Sequence, residues 1–467
     1  MEMDNLQKTM TQRAQAAGRH RTARRHFLAS IYWYGLLLVV ALVTLGREAA
    51  AQHSLPGPSA TWQTAPPEVV FTEADLPTVP KDVEDPSNHP VQLDTFTMSY
   101  MLNFQNRQTE KQLAVLESQL DSEQFPRIIL GAQLRASAMV GVTNTDNKFS
   151  YLGRFPPDFV GTTATDARMT HANAAAILHA APGVSGYFET LFSDVFTFPT
   201  FSQGSFQVRQ AYLVLGDLSQ SPLYAFIGKK NISFGDFRTL SPFSQAMPWH
   251  YFAPLAEGAG VGYSADGLEL TAMAINGNRG IRVADSPSKG RLNNFAANGN
   301  YTFSPFSDSD ITLGAGYLHG TIYDSTVAEH TNPAITGPMN GAWDVHSRVR
   351  FGRYYGSGEY VRTLKEWPIV GAPVVAYTTE LGVEIPAFTY PTFISASWGQ
   401  GFQGAAGTTF HSNSQLILGS QFQLHKNVQL SLEYIRSLGF APLINITTVS
   451  DPNVIQNTYL VGLTVVL

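Results

Sequence analysis

The chain has 467 residues, of which only 14% are charged, whereas 12% are aromatic and 39 are glycine. It contains no cysteine, which excludes disulfides, thiolate metal ligands and thiol nucleophiles. The formal net charge of −6 excludes the basic surface that nucleic-acid binding requires.

The N-terminus has the pattern of an export signal. Six basic residues within positions 1–26 precede an apolar run at 27–46, and Ala49-Ala50-Ala51 follows. A basic region, an apolar region and a small-residue cleavage site in this order are typical of a secretory signal peptide. We therefore predict a cleaved signal peptide at residues 1–51. A retained inner-membrane anchor is the alternative, because an apolar run of this length could span a bilayer.

A linker and a helix are predicted next. Residues 52–90 contain eight prolines and no hydrophobic period, which indicates an extended periplasmic linker. At about 104–124, three leucines fall on one face of a predicted helix: Leu113, Leu116 and Leu120. Residues 91–125 are therefore predicted as a periplasmic helix or short coiled coil. Packing of this helix on its own chain and self-association both remain open.

Residues 126–467 show alternating apolar and polar positions in many short segments. In residues 343–351, for example, Arg348 and Arg350 alternate with Val349 and Phe351. This alternation is typical of a strand with one face toward lipid and the other toward water. The low fraction of charged residues and the many glycines and aromatics suit such a wall.

We place sixteen strands in this region, with tight and long connections alternating. The strands are expected near 128–142, 169–181, 184–194, 206–217, 222–233, 258–265, 267–276, 295–303, 310–320, 341–353, 354–366, 374–385, 391–401, 415–424, 427–437 and 456–467. The tight connections are Pro182-Gly183, Asp266-Gly267, Tyr354-Tyr355 and Lys426-Asn427. An even strand number with short turns and long loops is typical of bacterial outer-membrane barrels. The predicted fold class is all-β: a transmembrane antiparallel β-barrel of about sixteen strands with a short N-terminal periplasmic helix.

The sequence also resembles a known family. Residues 206–237, FQVRQAYLVLGDLSQSPLYAFIGKKNISFGDF, contain an Arg-x-Ala-Tyr strand, a Gly-Asp-Leu turn and a strand that ends in Ser-Phe-Gly. With Gly267-Leu268-Glu269-Leu270 leading to Asn276-Gly277-Asn278, this stretch resembles the LbtU-type siderophore porins. The resemblance covers most of residues 95–467. It implies passive outer-membrane passage of a ferric siderophore without the large plug of energy-coupled receptors. The short N-terminal region likewise predicts no plug that fills the lumen.

Charged side chains that face the lumen would determine what such a channel admits. The candidates have mostly apolar or small neighbours: Arg135, Glu189, Arg209, Glu269, Arg348, Arg350 and Glu433. The alternative for each is a solvated charge or a cross-strand ion pair. Arg348 and Arg350 point the same way and predict a positive patch for an anionic ligand. Lys229 and Lys230 face opposite sides of a strand, so we expect at least one of them at a membrane rim.

The connection at 236–257 is rich in aromatic residues. Phe243, Trp249 and Tyr251 are candidates for a constriction or a ligand platform inside the barrel. The alternative is an aromatic girdle at the membrane interface.

No cofactor, metal site or enzymatic activity is expected. The twelve histidines show no HExxH pattern or paired metal-ligand spacing. No nucleophile-elbow, phosphate-loop or dinucleotide motif occurs in a strand-to-helix context.

The expected function is passive uptake of a small polar solute through an outer-membrane channel. By the resemblance, that solute is a ferric siderophore. A general or anion-selective porin is the alternative, and an outer-membrane enzyme or a structural or adhesive barrel is less favoured. The expected partners are the lipid bilayer and the solute, with homo-oligomer formation left open.

Overall fold

The structure is a computed structural model that describes residues 91–120, 125–150, 160–193, 205–276, 292–324, 339–368, 370–386, 390–408, 411–442 and 451–467. The predicted signal peptide (1–51) and linker (52–90) lie outside the described residues. Parts of several predicted long loops also lie outside them.

Sixteen strands form a closed antiparallel cylinder. They are β2 (Arg127–Thr143), β3 (Thr163–Ala181), β4 (Val184–Ser193), β5 (Ser205–Leu215), β6 (Leu223–Asn231), β7 (Leu255–Ala265), β8 (Leu268–Asn276), β9 (Leu292–Phe303), β10 (Ser309–Leu318), β11 (Ala342–Phe351), β12 (Tyr354–Thr363), β13 (Val375–Ile385), β14 (Thr392–Phe402), β15 (Ser412–His425), β16 (Val428–Leu438) and β17 (Ile455–Val466). Each strand pairs with its neighbours in the chain, and β17 pairs with β2 to close the cylinder. A short strand, β1 (Val91–Leu93), runs parallel to the start of β2.

The predicted strand count is confirmed, and each predicted segment overlaps one strand. The largest error is at β3, which begins at Thr163 rather than at 169. The predicted tight connection Tyr354-Tyr355 is wrong. The turn is Gly352-Arg353, where Gly352 takes a φ of +56°, a conformation that glycine adopts without a steric penalty.

The outer face of the barrel is an apolar band. In β2, Leu134, Val140 and Val142 point outward and are 45%, 41% and 40% exposed, whereas Arg135 and Ser137 between them point inward and are buried. Large exposed apolar side chains recur around the cylinder, including Leu213, Ile227, Val261, Leu313, Leu381, Trp398, Leu418 and Val461. A soluble monomer rarely exposes such a continuous surface, and a band of this kind matches the hydrocarbon of a bilayer.

Among the residues that the structure describes ahead of the barrel, two short helices occur, α1 (Thr95–Leu102) and α2 (Gln112–Leu120). The single helix expected at 104–124 is therefore wrong in its extent. Asp94 begins α1 by accepting hydrogen bonds from the N–H groups of Phe96 and Thr97. The side chain of Asn103 accepts from the N–H of Gln105 at 2.8 Å, a local turn that competes with continued helix. No helix among the described residues is long and apolar enough to cross a membrane.

Residues 94–120 lie inside the barrel, and we call them the N-terminal plug. Met98, Met101, Val115 and Leu116 of the plug are buried in one cluster with inward side chains of the wall, which are Ile129, Ile177, Tyr187, Tyr212 and Val214. These wall positions are apolar because protein, rather than water, covers them. Of the two arrangements left open above, the structure shows packing on the chain's own barrel. The sequence predicted no plug that fills the lumen; the segment does enter the barrel, but it shares the lumen with a long loop.

Candidate functional site: the lumen with its plug and inward loop

The connection between β6 and β7 folds into the lumen, and we call residues 232–254 the inward loop. It contains one short helix, α3 (Met247–Phe252). Four wall carboxylates hold the loop against the barrel: Asp344, Glu359, Glu380 and Glu433. They accept hydrogen bonds at 2.7–3.1 Å from the backbone N–H groups of Gly235, Asp236, Phe237, Leu240, Phe243 and Ser244. Charged acceptors make such hydrogen bonds about twice as strong as neutral ones.

The wall carries glycines where the inward loop passes. A Cβ atom at Gly462 would collide with the ring of Phe243, and one at Gly401 would collide with the ring of Tyr251. The loop therefore lies closer to the wall than any side chain at these positions would permit.

These contacts correct the expected roles of the aromatic residues. The alternative prediction, an aromatic girdle at the membrane interface, is wrong because the loop lies inside the barrel. Phe243 and Tyr251 are buried against the wall, and the hydroxyl of Tyr251 donates to Asn413 at 2.7 Å. They anchor the loop to the wall. Trp249 is half-buried.

Two predicted lumen charges hold the plug. Arg209 is 1% exposed and donates to the backbone oxygen of Arg107 at 2.9 Å. It also lies 3.6 Å from the carboxylate of Glu189, which accepts hydrogen bonds from Asn173 and Gln210 at 2.6 and 3.0 Å. Both residues point into the barrel as predicted, but the plug covers them.

Sequence reasoning missed the main ion pair between plug and wall. Lys230 is 1% exposed and lies 2.6 Å from Glu110 of the plug, which also accepts from Ser233 and Thr271 at 2.6 and 2.8 Å. Lys230 therefore faces the interior and not a membrane rim. The strand period placed Lys229 and Lys230 on opposite sides, but no local signal pointed to a partner in the plug.

Arg135 joins the plug, the loop and the wall. Its guanidinium lies between the rings of Phe104 in the plug, at 4.3 Å, and Phe243 in the loop, at 4.0 Å. It donates to the backbone oxygen of Pro242 and to the hydroxyl of Thr464. Glu433 holds the same stretch of the loop, as described above. Arg135 and Glu433 thus face inward as predicted, but they hold the loop and are buried.

The other three predicted charges are more accessible. Arg348 and Arg350 line a cavity that is open to solvent, together with Arg238 of the inward loop. We call this cavity the vestibule. The two carboxylate oxygens of Asp236 lie 3.6 Å from Arg348 and 3.4 Å from Arg238. Arg350 is exposed beside the turn between β11 and β12.

The plug faces the vestibule arginines and Glu269. Burial raises the pKa of Tyr100 in α1, and the charges of Arg238 and Arg348 oppose this rise. Surrounding protein and the charge of Glu269 raise the pKa of Glu117 in α2 to about 7, although its side chain still contacts solvent in the lumen. Tyr100 and Glu117 therefore lie close enough to the charges of Arg238, Arg348 and Glu269 for those charges to affect their pKa values.

One cluster could hold a metal by its composition. Possible ligand atoms of Asp344, His346 and Glu359 lie within 4.8 Å of one another. Each is already engaged: His346 contacts Asp344 at 2.6 Å and Asn300 at 2.7 Å, and both carboxylates accept from the inward loop. We therefore assign this cluster to anchoring the loop. The register pairs His346 with Glu359 across two strands, which no spacing within one strand reveals.

No protein-family model and no curated protein sequence matches the chain. Solved structures that are similar to it include the outer membrane channel DcaP of Acinetobacter baumannii, at 12% identity over 73% of this chain and 98% of that one, with a TM-score of 0.49. OprB of Pseudomonas putida aligns at 10% identity over 72% and 94%, with a TM-score of 0.49. An anion-selective porin from Comamonas acidovorans aligns at 12% identity over 73% and 100%, with a TM-score of 0.47. The barrel of this chain is established by its own strand pairing.

Proposed function

We propose that the protein is an outer-membrane channel that admits small solutes passively through its barrel. The observation that carries the proposal is the closed barrel with an apolar outer band, an inner face that is polar outside the part covered by the plug, and a loop anchored inside it. Short turns at one end and long loops at the other are typical of outer-membrane barrels, with the turns in the periplasm. On that orientation the vestibule opens toward the periplasm, because Arg350 and Tyr355 flank a short turn.

The vestibule supports a solute that carries negative charge. Three arginines border it, namely Arg238, Arg348 and Arg350. Two carboxylic acids, Asp310 and Glu380, border it as well, and Asp236 lies beside Arg238 and Arg348, so these acidic groups offset part of the positive charge. The planar guanidinium group binds carboxylates through two parallel hydrogen bonds.

We propose a ferric siderophore as the cargo within this class. The resemblance to LbtU-type siderophore porins supports it. A general or anion-selective porin remains the alternative.

Conductance tests the channel. The purified full chain in planar bilayers is expected to open discrete channels, and a protein that never conducts would contradict the proposed function. Liposomes then test the cargo, because a labelled ferric chelate should enter faster than an uncharged sugar of similar size. Equal entry of the chelate and the sugar would contradict the siderophore proposal and favour a general porin.

Replacing both Arg348 and Arg350 by alanine is expected to shift ion selectivity toward cations. In a tenfold salt gradient, where perfect selectivity gives about 59 mV, the reversal potential should move by on the order of 10 mV. The matched control removes two arginines from the outer face, as Arg362→Ala with Arg436→Ala, and should leave the reversal potential unchanged. Equal shifts in both variants would show that Arg348 and Arg350 do not line the pathway.

A further inference from the structure

A second, small cavity lies between the N-terminal plug and the wall, away from the vestibule. Arg107 and Lys111 of the plug line it on one side, and Arg135 and His171 of the wall line it on the other. It has room for about one water-sized species. The cavity therefore excludes organic solutes but admits a small ion.

This cavity is surrounded by more positive than negative charge. Among its described lining residues, Glu189 is the only carboxylate, against three basic side chains of lysine and arginine. Glu189 is already shared, because Arg209 lies 3.6 Å from it and Asn173, Gln210 and Tyr187 donate to it. Buried charge without a counter-charge is strongly unfavourable.

Hydrogen-bond donors remain available around the cavity. Lys111 donates to the backbone oxygens of Tyr100 and Met101 at the end of α1, which leaves the third N–H of its ammonium group.

The titration of the plug residues is consistent with this excess charge. Burial lowers the pKa of Lys111 to about 7, and Arg209 and Arg107 lower it further against the opposing charge of Glu189. Burial and the charge of Arg209 also lower the pKa of Arg107 to about 9. An anion in the cavity would reverse both effects.

We infer that this cavity binds one small monovalent anion of about the size of chloride, held by Arg107 and Lys111 of the plug and Arg135 of the wall. The anion neutralises buried charge and links the plug to the barrel. A ligand that binds only the docked plug stabilises the docked state by mass action. The anion site therefore stabilises the docked plug, and it is separate from the site of solute binding in the vestibule.

Amide hydrogen exchange on the full chain in detergent micelles tests whether an anion stabilises the docked plug. At pH 6, where Lys111 is protonated, amides in residues 104–116 should exchange about tenfold more slowly when chloride reaches about ten times its Kd. The comparison is gluconate at equal ionic strength, because gluconate is too large for the cavity. Equal exchange in the two salts would overturn the inference.

Variants assign the effect to the cavity. Lys111→Met should abolish the dependence on chloride, and Lys111→Arg should retain it. Lys426→Met, at an exposed turn, is the matched control and should retain the full dependence. A chloride effect that persists in Lys111→Met would show binding elsewhere.

Crystals of the unmodified chain grown in bromide give a direct test that does not require the variant to fold. An anomalous peak between Arg107 and Lys111 would support the site. A map with no peak there would refute it. Conductance plays no part in this readout, so failure of the channel proposal would be seen separately.

Discussion

Replacing Glu433 by alanine is expected to release the middle of the inward loop from the wall. Glu433 is 4% exposed and accepts from the N–H groups of Phe243 and Ser244 at 2.7 and 3.0 Å and from the hydroxyl of Ser244 at 2.7 Å. Without the carboxylate, these buried donors lose their acceptor. We expect the docking free energy of the loop to fall by about 3–5 kcal/mol, the range for breaking a buried charged interaction.

Single-channel recording measures this release, because a loop that leaves the wall changes the cross-section of the lumen. Glu433→Ala should give a different and noisier conductance, and Glu433→Gln, which keeps one acceptor oxygen, should be intermediate. The control is Glu366→Ala, an exposed position at the end with the long loops. Identical recordings from Glu433→Ala and the unmodified chain would mean that Glu433 does not position the loop.

The plug and the inward loop are bonded to each other as well as to the wall. The backbone N–H of Thr239 donates to the oxygen of Gln105, and the Gln105 side chain donates to the oxygen of Leu240, both at 2.9 Å. Arg135 lies between one aromatic ring from each. A change that loosens one element should therefore loosen the other.

The barrel could be predicted from sequence because its signals are local. A period of two and turn residues such as Asp266-Gly267 identify each hairpin within some twenty residues of chain. The alternation also gave the inward direction of Arg348 and Glu433. Their partners could not be predicted, since Glu433 binds a loop 190 residues earlier.

The sequence of β5 carries one local signal for the plug. Tyr212 and Val214 have the same strand parity as the inward Gln210, so β5 is apolar on both faces near its end. A strand facing a water-filled lumen should be polar on its inner face. Apolar inward positions on several neighbouring strands predict that protein covers that part of the wall. The segment that covers it lies far away in sequence, which the pattern cannot specify.

Replacing Lys230 by methionine is expected to undock the plug. The substitution would remove the charge that lies 2.6 Å from Glu110 and leave that carboxylate buried among neutral donors. Removing one partner of a buried ion pair costs about 3–5 kcal/mol. Faster hydrogen exchange across residues 95–120 would report the undocking. The double variant Lys230→Met with Glu110→Gln removes both charges and should recover most of the protection, and its failure to do so would show that Lys230 acts through other contacts.

The same pair predicts how acid affects the unmodified plug. Burial tends to raise the pKa of Glu110, but the charge of Lys230 and hydrogen bonds from Lys230, Ser233 and Thr271 outweigh it and hold the pKa below its usual 4.5. Because the docked pKa is the lower one, this contribution to docking is complete above about pH 4.5 and declines as the pH falls through the docked value. Amide hydrogen exchange in the plug, corrected for the intrinsic pH dependence of exchange, should therefore become faster as the pH falls. The double variant should lack this acceleration, and an equal acceleration in both proteins would assign the acid response to another group.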